Sequence, residues 1–142
     1  MSANSRRMAR RFLLQAFYQA QLSEATVVEL REQFMAASDF NRADSKYFLK
    51  LLEEIDAARD ELDATISRFG EIPADQLDPV EHAILWVALA ELRFHPDVPH
   101  RVVINEAIEL TKAFGAEGGH RYVNALLDRA AAGRGASGMA AL

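Results

Sequence analysis

Apolar and polar positions along the chain recur at the three-and-four spacing of amphipathic helices, and no segment shows the strict alternation of a half-buried strand. A first helix is predicted over about 5–21, with Asn4 or Ser5 as its N-cap. Ala9, Phe12, Leu13, Ala16 and Ala20 form its apolar side, and Arg7, Arg10, Arg11 and Tyr18 gather on the other. A second helix reads from about 24 to 37 and a polar link follows over 38–42. The longest pattern runs from 43 to 69, where Phe48, Leu51, Leu52, Ile55, Leu62 and Ile66 make one stripe that Gly70 ends. Asp78 followed by Pro79 is an N-cap with proline at the first helical position, opening a helix over 79–94 that is apolar almost all round. Such a helix belongs in the middle of a bundle. After Pro96 and Pro99, a fifth helix spans 101–114, a short turn covers 117–120, and a last helix continues to about 132. The expected fold is all-α: one domain over 1–132 with six to seven helices in two sub-bundles, and a disordered tail over 133–142.

Composition narrows the class. The 142 residues are half hydrophobic, enough for one core that needs neither disulfide nor metal. There is no cysteine, which excludes thiolate chemistry and cysteine-ligated zinc. No apolar run reaches the roughly 20 residues of a membrane span, and no signal peptide is evident, so a cytoplasmic protein without a membrane partner is expected. The net charge of −5 conceals a dipolar chain: residues 1–11 carry +4, residues 12–100 carry −10 and residues 101–142 carry +1. That distribution suits an anion at one end and a cationic partner elsewhere, although acids on helices also simply solvate exposed faces.

Catalytic signatures are missing. No phosphate-cradling glycine motif follows a strand, and Gly115, Gly118 and Gly119 lie between two helices, as caps and turns do. His82, His95, His100 and His120 lack the spacing of a metal site and read as surface or capping residues, so no metal, cofactor or enzyme activity is expected. The informative stretch is RRMARR at 6–11. Four guanidiniums at a helix start oppose the helix dipole, and they are multidentate donors for phosphate oxygens. Tyr18 on the same side is a stacking platform for an unpaired base, which favours RNA over duplex DNA. The alternative is a helical protein–protein scaffold whose basic helix start meets an acidic protein and no RNA.

The stretch DVPHRVVINEAIELTKAFGAEGGHRYVNALLDRAA over 97–131 strongly resembles the C-terminal half of the NusB family of bacterial transcription antitermination factors. RRMARR at 6–11, QAFYQ at 15–19 and ALAEL at 88–92 extend the resemblance over residues 5–131. It implies two packed helical bundles. It also implies a heterodimer with NusE, a small-subunit ribosomal protein, that binds a single-stranded boxA element in nascent RNA. Acting with RNA polymerase and other Nus factors, that heterodimer promotes read-through in ribosomal RNA operons. Arg6, Arg7, Arg10, Arg11 and Tyr18 match the family's RNA-facing surface, as do Lys112, Arg121, Tyr122 and Asn124. There Arg121 and Lys112 would hold phosphates, Tyr122 would stack on a base and Asn124 would read a base edge. Leu22, Asp75, Asp78 and Glu81 match the side that meets the basic ribosomal protein. Asn105 and Glu106 read as structural bracing. Trp86 and Ala90 stand where the family commonly has arginine and tyrosine, and Gly118–Gly119 replaces a more polar turn. The residues leave open whether the free chain forms a homodimer that hides the arginine face.

Overall fold

The computed structural model describes residues 2–137, with side chains through 133. Seven α-helices run in order: α1 (Ala3–Leu22), α2 (Val27–Met35), α3 (Ser45–Ala57), α4 (Arg59–Phe69), α5 (Pro79–Phe94), α6 (His100–Phe114) and α7 (Gly119–Ser137). Single 3-10 turns lie at Phe40–Arg42 and Ala74–Gln76, and the described residues contain no strand. The fold is all-α, as the periodicity predicts.

Local chemistry sets the helix starts. Ser2, rather than Asn4 or Ser5, caps α1: its Oγ accepts from the Ser5 backbone N–H at 3.2 Å. Ser5 is thereby inside the helix, and its carbonyl accepts from the Asp44 N–H at 2.9 Å, tying α1 to the start of α3. α2 begins three residues later than expected because Thr26 and Glu29 form a capping box, each side chain accepting the other's backbone N–H. α5 starts as predicted, with Asp78 accepting from Val80 and Glu81 and Pro79 filling the first turn.

The stripe expected as one helix over 43–69 is two. Ala58, at φ −112° and ψ 14°, breaks it without proline or glycine. The break lets α3 pack on α1 and α2 while α4 turns onto α5 and α7, two directions that one straight helix cannot serve. Asp60 and Glu61 then fall in the first turn of α4, where the helix dipole favours acids.

α5 is the central element. Every residue from 81 to 92 is buried, and α1, α3, α4, α6 and α7 surround it. The N-terminal sub-bundle of α1–α3 closes on a cluster of Phe12, Phe34, Phe40 and Phe48, with ring centroids 5.3–5.9 Å apart. Phe40 comes from the segment read as a polar link, so that link carries one core residue. α7 extends to Ser137, past the expected end near 132, in keeping with the helix preference of its alanines. The rest of the expected tail, 138–142, lies outside the described residues. No helix among the described residues is long and apolar enough to cross a membrane.

Phe48 is fully buried at the junction of three helices. Phe48→Ala is expected to cost about 3–5 kcal/mol of stability, read by urea unfolding. A loss below about 1 kcal/mol would show that the aromatic cluster is not the core of this sub-bundle.

Candidate nucleic-acid and partner interface

The four arginines at the start of α1 do not share one environment. Consecutive helical residues point about 100° apart, and here that step separates a buried Arg10 from an exposed Arg11. Arg10 turns inward and is 4% exposed. Its Nε donates to both carboxylate oxygens of Glu91, at 2.9 and 3.1 Å, and its Nη2 donates again at 2.9 Å. The Tyr47 hydroxyl donates to the same carboxylate at 2.6 Å. Burial disfavours the Arg10 charge, but Glu91, with help from Tyr47 and Glu106, more than compensates and raises its pKa above the ordinary arginine value. Burial and the Glu91 charge likewise push the Tyr47 phenol upward. Arg10, expected on the RNA face, is therefore an internal ion-pair partner and offers no surface to a ligand.

The other three remain accessible. Arg6 lies over the Tyr47 ring at 4.3 Å and 3.7 Å from Asp44. Arg7 is exposed and donates from Nε to Glu106 at 2.9 Å. Arg11 has no carboxylate partner among the described residues, and its guanidinium sits 5.0 Å from the centre of the exposed Phe114 ring on α6. Two turns further, exposed Tyr18 borders an apolar groove of about 570 Å³ with Leu14, Leu22, Val80 and Phe114. Arg7, Arg11 and Tyr18 thus follow one line along α1, two guanidiniums and then an aromatic ring.

The later residues form a second locality. Lys112 and Arg121 are exposed at the end of α6 and the start of α7. Tyr122 is half-buried on the side away from the α1 arginines: its hydroxyl donates to the Ile72 carbonyl at 3.3 Å and crowds against Gly70. Burial raises its pKa above the ordinary phenol value, and the nearby Glu81 charge adds to this. The ring is held as a brace between α7 and the end of α4, so a free stacking role departs from what the structure places there. Asn124 is partly exposed on α7.

Among the partner residues, Leu22 is 59% exposed in the apolar groove, and Asp75 and Asp78 are exposed just before α5. Gln21 donates to the Pro79 carbonyl at 2.9 Å, so the end of α1 and the start of α5 form one surface. Glu81 differs: it is buried with its carboxylate against the turn that leads into α7, where the Ala116 backbone favours the charged form and burial opposes it. A Cβ on Gly119 would lie 2.5 Å from that carboxylate, and Gly118 adopts φ +80°, so the glycine pair fits a turn built around Glu81. Sequence reasoning placed Glu81 on a surface because charge alone does not reveal a carboxylate used inside a turn.

Three further side chains depart from the sequence reading. Asn105 is exposed and has no bracing bond among the described residues, whereas Glu106 does brace. His82 is buried, 2.6 Å from Asp63, which also accepts the Trp86 indole N–H at 2.8 Å. Trp86 is itself buried, edge-on to Phe17, so this departure from the family pattern lies in the core rather than on a contact surface. Ala90 is fully buried in the same helix. No three His, Asp or Glu side chains among the described residues converge to hold a metal.

Glu91→Ala would leave Arg10 buried with only the longer contact to Glu106, at 3.4 Å, and is expected to cost about 3–5 kcal/mol in urea unfolding. Glu81 supplies a pH signature. Burial raises its pKa above 4.5, so its protonated form favours folding, and this contribution is lost as pH rises through the raised value. Glu81→Gln, neutral throughout, should therefore gain stability relative to the native chain between about pH 4 and pH 7. Urea melts at both pH values would contradict this if the native chain gained instead.

The sequence and the fold both have known relatives. The NusB family model covers residues 7–132. The transcription antitermination protein NusB of Shewanella pealeana is 45% identical over 129 residues, covering 91% of this chain and 96% of its own length. That of Idiomarina loihiensis is 42% identical over 130 residues, covering 92% and 94%. The solved structure of T. maritima NusB superposes with a TM-score of 0.78 at 28% identity, over 89% of this chain and 90% of that one. A structure of NusB and NusE in complex with dsRNA gives a TM-score of 0.77 at 23% identity, covering 92% and 98%, and supports the fold. With its helices in place and the family model spanning nearly all of them, the chain belongs to the NusB family.

Proposed function

We propose that the chain is an antitermination factor that binds single-stranded, boxA-like RNA as a heterodimer with NusE, acting with RNA polymerase and other Nus factors to promote read-through in ribosomal RNA operons. The observation that carries the reading is the line of Arg7, Arg11 and Tyr18 on one exposed edge of α1. Arginine forks suit phosphate oxygens, and a solvent-facing ring beside them suits an unpaired base. Arg6 beside it, and Lys112, Arg121 and Asn124 in the second locality, are proposed as secondary contacts. The apolar groove with Leu22 and Val80, together with exposed Asp75 and Asp78 just before α5, suits a protein partner that carries both apolar and basic side chains. The relatives' shared name, and the solved structure of NusB and NusE in complex with dsRNA, support the antitermination role and the NusE pairing by family.

Fluorescence anisotropy of a labelled boxA-like single strand, with and without the ribosomal partner, tests the reading. Binding that depends on RNA sequence and tightens with the partner is expected. Tyr18→Ala should lower affinity by about tenfold with little change in salt slope, as loss of one stacked base does. Arg7→Ala should also weaken binding and reduce the slope by about 0.7, the value for one phosphate on a single strand. Native affinity in both variants would remove the α1 edge from the RNA site. Stronger binding to a duplex of the same sequence would replace the single-strand reading.

A further inference from the structure

Glu106 lies on α6, and its side chain is 12% exposed between two arginines of α1. One oxygen, Oε1, accepts from Arg7 Nε at 2.9 Å and from Arg10 Nη1 at 3.4 Å. Arg10 is itself fixed by three contacts to Glu91, one of the least exposed side chains in the protein. An unbroken series of bonds therefore runs from the Tyr47 hydroxyl through Glu91, Arg10 and Glu106 to the surface guanidinium of Arg7. Only the Nε of Arg7 is used, which leaves both terminal amino groups without a protein partner among the described residues. Recesses of about 300 and 430 Å³ flank the pair, and Arg7 and Glu106 line both.

We propose that Glu106 is a positioning residue for RNA: it holds Arg7 by its Nε so that the paired terminal amino groups are presented to a phosphate. The proposal rests on the RNA-binding reading above. It opposes the simplest electrostatic expectation. Glu106 is an anion within an anion-binding edge, so by charge alone its removal tightens RNA binding. As a positioning residue it restricts a long, rotamer-rich side chain before RNA arrives, and its removal loosens binding.

Two crossed substitutions separate charge from reach. Glu106→Asp keeps the charge and withdraws the carboxylate by one methylene, and Glu106→Gln removes the charge but keeps an accepting oxygen at the same distance. Affinity for the labelled boxA-like single strand, measured with the NusE-bound protein, is expected to fall about fivefold in E106D and to stay within about twofold of native in E106Q. In an Arg7→Ala background, E106D should have no further effect, because the residue acts through Arg7. Tighter binding in E106Q with native binding in E106D would overturn the proposal in favour of charge repulsion. Equal losses from E106D with and without Arg7 would overturn it in favour of a general packing role. Failure of the native complex to bind RNA would remove both readings, whereas weakened R7A with an unaffected E106D would remove this one alone.

Discussion

The placement of the arginines at the start of α1 depends on one buried ion pair. A guanidinium taken out of water is tolerated only when a carboxylate neutralises it and hydrogen bonds satisfy its donors. Arg10 meets that condition at a single place, against Glu91 near the end of the central helix, with Tyr47 of α3 completing the carboxylate's bonds. The pair therefore sets the rotation of α1 about its own axis. Once Arg10 is committed inward, the 100° step of the helix carries Arg11 outward, and Arg7 and Tyr18 lie on the same exposed edge. A sliding or turning of α1 would strand a buried charge, which makes the pair a device for register as well as cohesion.

The same pair changes the meaning of the chain's charge pattern. The first 11 residues carry +4, yet Asp44, Glu106 and Glu91 each face one of these arginines. Much of the apparent basic patch is compensated within the fold, and Arg11 stands out as the arginine with an aromatic rather than an acidic neighbour. The excess of acid in the middle of the sequence is also partly internal. Glu54 holds His95, Asp63 holds His82 and Trp86, and Glu81 closes the α6–α7 turn. Other acids of that segment, among them Glu71, Asp75 and Asp78 before α5, stay exposed, so only part of its −10 is used inside the fold.

The helices were legible wherever a local signal was strong. Asp78–Pro79 announces the start of α5, and its all-round apolar sequence announces burial on every side. Thr26–Glu29 was equally readable as a capping box and was missed in favour of the preceding residues. Ala58 was not readable: alanine favours helix, and the break there follows from where α1, α5 and α7 lie. The site divides in the same way. Tyr18 and Arg7 are exposed as their helical positions imply, but Arg10 looks like its neighbours in sequence and is distinguished only by Glu91, 81 residues away. Tyr122 and Glu81 each carry a polar group whose partner is a backbone atom of a distant turn, a relation that no side-chain pattern records.

Those two residues also explain how the two proposed surfaces are joined. Glu81 begins at α5 and ends at the start of α7, and Tyr122 reaches from α7 to the loop after α4. Between them they hold α7 against the very segment that carries Asp75 and Asp78. On the opposite flank, the groove from Phe114 to Leu22 runs from α6 along α1 to Val80 in the first turn of α5. A ligand on either surface thus presses on elements that already share buried carboxylates with the other. If both proposed surfaces are occupied, coupling between them needs no large movement; it needs only that each ligand stabilise the arrangement of α1, α5 and α7 that the other recognises.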